Sequence, residues 1–298
     1  LALAFQVAEK TLMGKRDGRR WISQWQIAYT FDADLDWAQD ANRFRRLVPP
    51  TSAFWADPMP WQHDDGKCYI FFEELPFATW HGRLLACEVF EHQEPTAPVV
   101  VMQGDCHLSY PFLLSHEGQT YMVPETGARG RVELHRCIKM PDQWELDTVL
   151  IDKVNAYDAT LFFDDRFGWW MWVSVCEKGA DSSEELHLYH AKNLRGPWEP
   201  HPCNPVVSDI RAARPAGPIV QKDGQLYRPV QDCSRAYGER VTWRRIEVLS
   251  IQDYREAKVG EVAMLPAHDL HRVHTLAQSG RLRAMDVMAR LPRNGSRT

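Results

Sequence analysis

The sequence has no apolar run approaching the ~18 residues of a membrane-spanning helix, no Cys-x-x-Cys pair, no glycine-rich phosphate loop and no low-complexity linker. Each absence removes a class. A helical membrane span is excluded, a zinc ribbon lacks its ligand spacing, and a nucleotide-binding α/β unit lacks its anion cradle. The seven cysteines (Cys68, Cys87, Cys106, Cys137, Cys176, Cys203 and Cys233) are odd in number, which speaks against a disulfide framework and for a reducing, cytoplasmic compartment. Charge of one sign is not in excess either. With 35 basic against 40 acidic residues the formal charge is −5, so nothing draws the chain to nucleic acid or to an anionic membrane. Arg290, Arg293 and Arg297 read as a frayed basic end rather than a binding site. Leu1 to Val7 shows neither an initiator Met nor a basic signal-peptide start, so the beginning reads as that of a fragment and export stays open. Helix signals are scarce. Only Leu35 to Leu47, with Trp37, Ala41 and Phe44 on one face, predicts a helix.

Aromatic residues are abundant: 12 Trp, 12 Phe and 9 Tyr. They favour strands, and they supply the flat apolar faces against which sugar rings stack. Five segments, starting at Phe54, His107, Ala156, Ala213 and His271, share one plan. A strand runs into a polar turn with glycine (Gly66, Gly118, Gly168, Gly224, Gly280) and out along a second strand rich in aromatic or β-branched residues. Aligned on those turns, Asp57, Tyr110, Asp158, Arg214 and His274 occupy equivalent positions, 53, 48, 56 and 60 residues apart by subtraction. Third strands follow from Arg83, Arg131, Glu185 and Val241. A repeat of this period with hairpin chemistry predicts an all-β, five-bladed β-propeller, residues 1–298 forming one domain. The unpaired early strand, 19–31, closes the ring against the last blade and so removes an edge. A β-sandwich with a second β-domain does not predict five matched hairpins.

In a propeller the first strand of each blade lines the axis, so equivalent positions converge on one pocket. Two Asp, an Arg, a Tyr and a His stand where a core prefers small apolar side chains, and burying them is costly unless they are paired or used. Two readings follow. One is a structural ion-pair cluster, with Arg214 neutralising the acids. The other is a glycosidic site, which needs two carboxyl groups in opposite protonation states. Asp57 and Asp158 are then floor carboxylates, and the second strands offer Glu73, Glu74, Glu125, Asp232 and Asp286 as partners. Glu73 and Glu74 face opposite ways, so only one looks into the pocket; Glu74 is assigned to substrate binding. Glu125 is the expected acid because Pro124 and Thr126 mark the end of its strand. Arg214 suits substrate hydroxyls, Trp55, Trp80 and Tyr110 suit a sugar face, and Asp232 with Arg235 forms a polar wall. His271 and His274 are candidates to hold an ion on the axis.

FWADP, YPF, PET, YDATLF, ARPAG and QDCSRAYG, spread from about Phe54 to Asp286, resemble the five-bladed propeller glycoside hydrolases of families 43 and 32. They resemble more closely the N-terminal propeller of glucosamine inositolphosphorylceramide transferases and their bacterial relatives. The first resemblance implies a base or nucleophile at Asp57, a carboxylate tuning the acid at Asp158, and an axial cation near His274 with no cofactor required. It also implies a general-acid Glu beside a Gly-Pro, where ARPAGPIV has Arg214. The second implies that transfer chemistry belongs to a separate domain. The leading expectation is a glycoside hydrolase acting on a furanoside or related glycoside. The other is a glycan-binding propeller, or a transferase using the same pocket.

Overall fold

The structure, a computed structural model, describes residues 21–176, 181–264 and 270–292. Leu1 to Val7, Arg19, and Arg293 and Arg297 of the basic end lie outside them. In chain order the strands are β1 (Trp21–Thr30) and β2 (Arg45–Leu47), then β3 (Ala53–Gln62), β4 (Cys68–Pro76), β5 (Arg83–Glu88) and β6 (Val99–Met102). Next come β7 (Ser109–His116), β8 (Gln119–Glu125), β9 (Arg131–Lys139) and β10 (Gln143–Asp152), followed by β11 (Ala156–Asp164), β12 (Gly168–Val175), β13 (Glu185–Ala191), β14 (Glu199–Pro200) and β15 (Val207–Ser208). The last are β16 (Val220–Lys222), β17 (Gln225–Asp232), β18 (Arg240–Leu249), β19 (Tyr254–Val262), β20 (Leu276–Ser279) and β21 (Leu282–Pro292).

They form five antiparallel sheets, β3 to β6, β7 to β10, β11 to β15, β16 to β19, and β20-β21-β1-β2, each running outward from an innermost strand. The fold is a five-bladed β-propeller. All five repeat glycines sit at positive φ in the hairpins that join the first and second strands, the backbone that such turns demand. The ring closes through β1, which pairs along its length with β21 from Trp21↔Pro292 to Thr30↔Arg283.

Blade packing follows from the two-residue period of a strand. In β12, Trp169, Met171 and Val173 face the core shared by the first three blades. Trp170 and Trp172 face the core shared with the fourth blade, beside Ile246 and Leu249. A central strand is therefore buried on both faces and reads as an unbroken apolar run.

The helix expected over Leu35 to Leu47 does not form. Asp36 Oδ1 accepts the N–H groups of Ala38 and Gln39, and Asp40 Oδ2 accepts that of Asp36. Such side-chain bonds compete with helical ones, leaving turns, one 3₁₀ turn (Ala41–Arg43) and β2 as the outer strand of the last blade. The apolar face is used all the same, since Phe44 and Trp37 pack on Met285 and Val287.

Candidate functional site at the propeller axis

Asp57, Tyr110 and Asp158 share a backbone feature that explains their orientation. Each is a non-glycine residue at positive φ (52°, 42° and 54°), and each sits in a bulge where the pairing of the first strand skips, at Ala56/Met59, Ser109/Phe112 and Tyr157/Thr160. Left-handed backbone costs a bulky residue about 1–3 kcal/mol and persists only where its surroundings enforce it. Here the enforcement is a set of hydrogen bonds across the axis.

Asp57 is 5% exposed. Its Oδ1 accepts from Thr275 Oγ1 at 2.8 Å and lies 3.2 Å from His274 Nε2, while its Oδ2 accepts from Tyr110 N at 3.3 Å. Its own N–H donates to Asp286 Oδ2 at 2.9 Å. Asp286 Oδ1 accepts from the N–H groups of His274 and Thr275, both at 2.9 Å. Burial alone would push the Asp57 carboxyl up; the bond to His274 and its charge, then Thr275 and Arg214, hold it below its ordinary value. Burial depresses His274 in the same way, but Asp286 and Asp57 together hold the imidazole well above its usual range, so it is charged.

The other half of the floor is built on Asp158, 1% exposed. Its Oδ2 accepts from Arg214 Nε at 2.6 Å and from Gln231 Nε2 at 3.3 Å. Arg214 also donates to Ser182 Oγ at 3.1 Å and lies over the rings of Tyr157 (5.6 Å) and Tyr237 (5.2 Å). Glu125, at the end of β8, lies beside Asp158 and 3.6 Å from Arg214 Nη2. Burial, then the charge of Asp158, raises the Glu125 carboxyl well above its usual range against the pull of Arg214. Burial raises the Asp158 carboxyl too, but Arg214 partly offsets it, so of the two it is Glu125 that holds the proton. The axis thus brings together Asp57, Glu125, Asp158, Arg214 and His274 and holds two of its carboxyl groups in opposite states.

Other expected positions take different places. The Tyr110 ring is fully buried, with its hydroxyl 2.8 Å from Thr160 Oγ1 and accepting from Gly217 N at 3.0 Å, so it has no face to offer a sugar. Trp55 packs on Phe72 and donates through Nε1 to Glu74 Oε1 at 3.2 Å. Glu74 is also bonded to Arg83 at 2.7 Å, so these two hold one another between strands instead of meeting a ligand. Asp232 caps its turn by accepting from Ser234 N and Oγ, and Arg235 is exposed. From the same QDCSRAYG stretch it is Tyr237 that reaches the floor. His271 lies 3.4 Å from Ser23 Oγ and away from the axial pair.

Several residues that border the floor went unassigned in the sequence. His107 takes a hydrogen bond from Gly82 N at 3.0 Å and faces Glu73 at 3.3 Å. Burial first, and the charges of His81 and Arg214, lower its ring to about 4, so it is neutral. Tyr157, Thr275 and Gln231 are the others. The first two are chain neighbours of aligned positions, which is the signal that marks them. A cavity of about 780 Å³ lined by Trp37, Ile219, Tyr227, Trp243, Leu276 and Gln278 lies between the fourth and fifth blades. It shares no lining residue with the floor, and it brings no pair of carboxyl groups together.

A five-bladed β-propeller with a polar, charged axis is the class that fold and site define. Solved structures share the architecture. An exo-β-1,3-galactanase from Clostridium thermocellum matches with a TM-score of 0.55 at 10% identity, covering 74% of this chain and 50% of that one. A family 43 β-xylosidase/α-arabinofuranosidase from a compost metagenome matches at 0.54 and 11%, covering 83% and 93%. A family 117 glycoside hydrolase of Zobellia galactanivorans matches at 0.51 and 13%, covering 89% and 90%. At these identities the likeness is one of fold. Sequence goes further, because the family model for the N-terminal part of glucosamine inositolphosphorylceramide transferase 1 matches residues 46–288, and the chain belongs to that family. The transferase 1 of Arabidopsis thaliana is 32% identical over 211 residues, covering 70% of this chain and 27% of that protein. That of Oryza sativa subsp. japonica is 32% identical over 228 residues, covering 74% and 30%. The chain thus spans less than a third of the length of these curated relatives.

Proposed function

We propose that this propeller binds a glycoside over the floor formed by Asp57, Glu125, Asp158 and Arg214 and acts on it as a glycoside hydrolase. One arrangement carries the reading: Asp57 and Glu125 lie in one buried cluster whose surroundings hold the first carboxyl below its ordinary range and raise the second well above it. Cleavage of a glycosidic bond uses that pair, a carboxylate to stabilise positive charge at the anomeric carbon or to activate water, and an acid to protonate the leaving oxygen. Asp158 helps set the acid, since its charge adds to burial in keeping the proton on Glu125. Arg214, which lies over the rings of Tyr157 and Tyr237, is the group we assign to substrate hydroxyls. A furanoside or related glycoside is the substrate class we assign, in keeping with the glycoside hydrolases that share the fold.

A second reading is favoured by two specific observations. Both carboxylate oxygens of Asp57 already have donors, and Arg214 stands beside the Gly217-Pro218 pair where family 43 and 32 enzymes carry their acid. These suit a propeller that binds a glycan or glycolipid without cleaving it, in a system whose transfer chemistry lies elsewhere, as membership in a transferase N-terminal family suggests.

A panel of aryl α- and β-furanosides and pyranosides, assayed with the wild type, Asp57→Asn and Glu125→Gln, decides between them. Turnover abolished in Asp57→Asn with binding retained by calorimetry supports hydrolysis. Binding without turnover on any substrate supports the second reading, and product formed only when donor and acceptor are both present marks a transferase. Neither binding nor turnover on a broad glycan array sinks the carbohydrate assignment.

A further inference from the structure

The axial ligand set looks at first like a metal site. Asp57, His274 and Asp286 each bring one ligand atom to within 4.8 Å of the others, all three residues being buried. The donors around them do not fit a metal. Every oxygen of the two carboxylates already receives a hydrogen bond: Asp57 Oδ1 from Thr275 Oγ1, Asp57 Oδ2 from Tyr110 N, Asp286 Oδ1 from His274 N and Thr275 N, and Asp286 Oδ2 from Asp57 N. Five hydrogen-bearing donors aimed inward make a cradle for negative charge, and a cation placed among them meets their positive ends. The imidazole does not turn a nitrogen to open space either, although Nδ1 lacks a well-aligned hydrogen bond. Nε2 lies 3.2 Å from Asp57 Oδ1 and Nδ1 lies 3.0 Å from Asp286 Oδ2, so both ring nitrogens face carboxylate oxygens. A ligating histidine keeps one nitrogen for the metal.

We propose that His274 takes the place of a metal on this axis: its ring stands between Asp57 and Asp286 with one nitrogen toward each carboxylate, and as an imidazolium it offsets one of their two negative charges. Two further contacts fit a charged ring. Trp25 lies against the imidazole at 4.4 Å between centroids and Tyr237 at 5.2 Å, tilted by 56° and 55°, within the range at which aromatic rings favour a cation. The other titratable groups near the ring are Cys233, and, through Asp57, Arg214, Asp158 and His107. The acids that face the ring nitrogens themselves are Asp57 and Asp286. His274 is thus a positioning residue: it fixes the Asp57 carboxylate at the floor and keeps it ionised, whichever of the two functional readings holds.

Three measurements on the full chain test this. First, the protein is exhaustively dialysed against EDTA and its metal content and thermal midpoint are measured with EDTA, Ca²⁺, Mg²⁺ or Zn²⁺. No stoichiometric metal and a midpoint unchanged to within about 1 °C are expected; a metal-dependent rise of several degrees overturns the proposal. Second, long-range ¹H–¹⁵N spectra of ¹⁵N-histidine-labelled protein, with His274 assigned by substitution, report both ring nitrogens. Both are expected in the protonated range from about pH 5 to about pH 8, across which an ordinary histidine titrates; a neutral tautomer at pH 7 refutes the imidazolium. Third, His274→Gln leaves two buried carboxylates without their cation. Its loss of stability is expected to shrink as pH falls through the carboxylate range, because protonating Asp57 removes the repulsion. A loss independent of pH indicates packing alone, and if the variant does not fold, the first two measurements on the wild type still decide.

Discussion

Tyr110→Phe isolates one atom. The Tyr110 hydroxyl ties three blades, since the residue is on β7, its partner Thr160 is on β11, and Gly217 N–H donates to it from the start of the fourth blade. Removing the oxygen leaves Thr160 Oγ1 with its bond to the Asp158 carbonyl, but it leaves the Gly217 N–H buried with its partner gone. An unsatisfied buried donor costs about 1–3 kcal/mol. We therefore expect a destabilisation of about 2 kcal/mol, which for a chain of this length lowers the thermal midpoint by about 4 °C. The ring is retained, so a glycan that stacked on residue 110 would still do so, and sugar affinity is expected to be unchanged. Differential scanning calorimetry and glycan titration of the same sample give both numbers. A midpoint shift below about 1 °C, or a loss of affinity with the midpoint intact, refutes the assignment of Tyr110 as an inter-blade tie.

Gly217→Ala tests a close approach of the fourth and fifth blades, where an added Cβ lies 2.0 Å from the Leu276 carbonyl oxygen at a φ of +135°. Strain and clash together are expected to cost about 3 kcal/mol or more, and a variant with wild-type stability by urea titration contradicts the packing described. Arg228→Met takes one of two guanidinium partners from Glu256, 3% exposed in its side chain, while Arg244 Nε stays 2.8 Å away and Tyr254 still donates to it. A loss of about 2–3 kcal/mol is expected, below the full cost of a stranded buried charge, and a double-mutant cycle with Glu256→Gln measures the Arg228–Glu256 share. Glu125→Gln reads the raised carboxyl through pH. The folded chain keeps a proton that the unfolded chain releases above its ordinary value of 4.5, so stability falls as pH rises from there through the folded value. The Gln variant should lose that part of the slope in thermal midpoints taken across pH, and parallel curves for the two proteins would show Glu125 to be ionised.

Much of the architecture was legible because its causes are local. A positive-φ glycine in a polar turn and a two-residue alternation of burial are decided within a hairpin, so the five repeats and the positions aligned on them emerge from the residues alone. The helix over Leu35 to Leu47 failed for a local reason as well, side-chain capping by Asp36 and Asp40. Glu74 and Tyr110 were assigned to a ligand because position alone does not reveal that Trp55, Arg83, Thr160 and Gly217 had already claimed their polar atoms. Tyr237 was passed over in favour of Arg235, two residues earlier, because which member of a loop turns inward depends on the blade it meets.

By itself the sequence determined a five-bladed ring with Asp57, Asp158, Arg214 and His274 directed at one axis. Only the tertiary structure decided the charges they carry. Asp158 meets Arg214 across 56 residues and Thr275 meets Asp57 across 218. Whether a buried carboxyl such as Glu125 keeps its proton depends on the water removed and the charges brought near it, and those come from other blades.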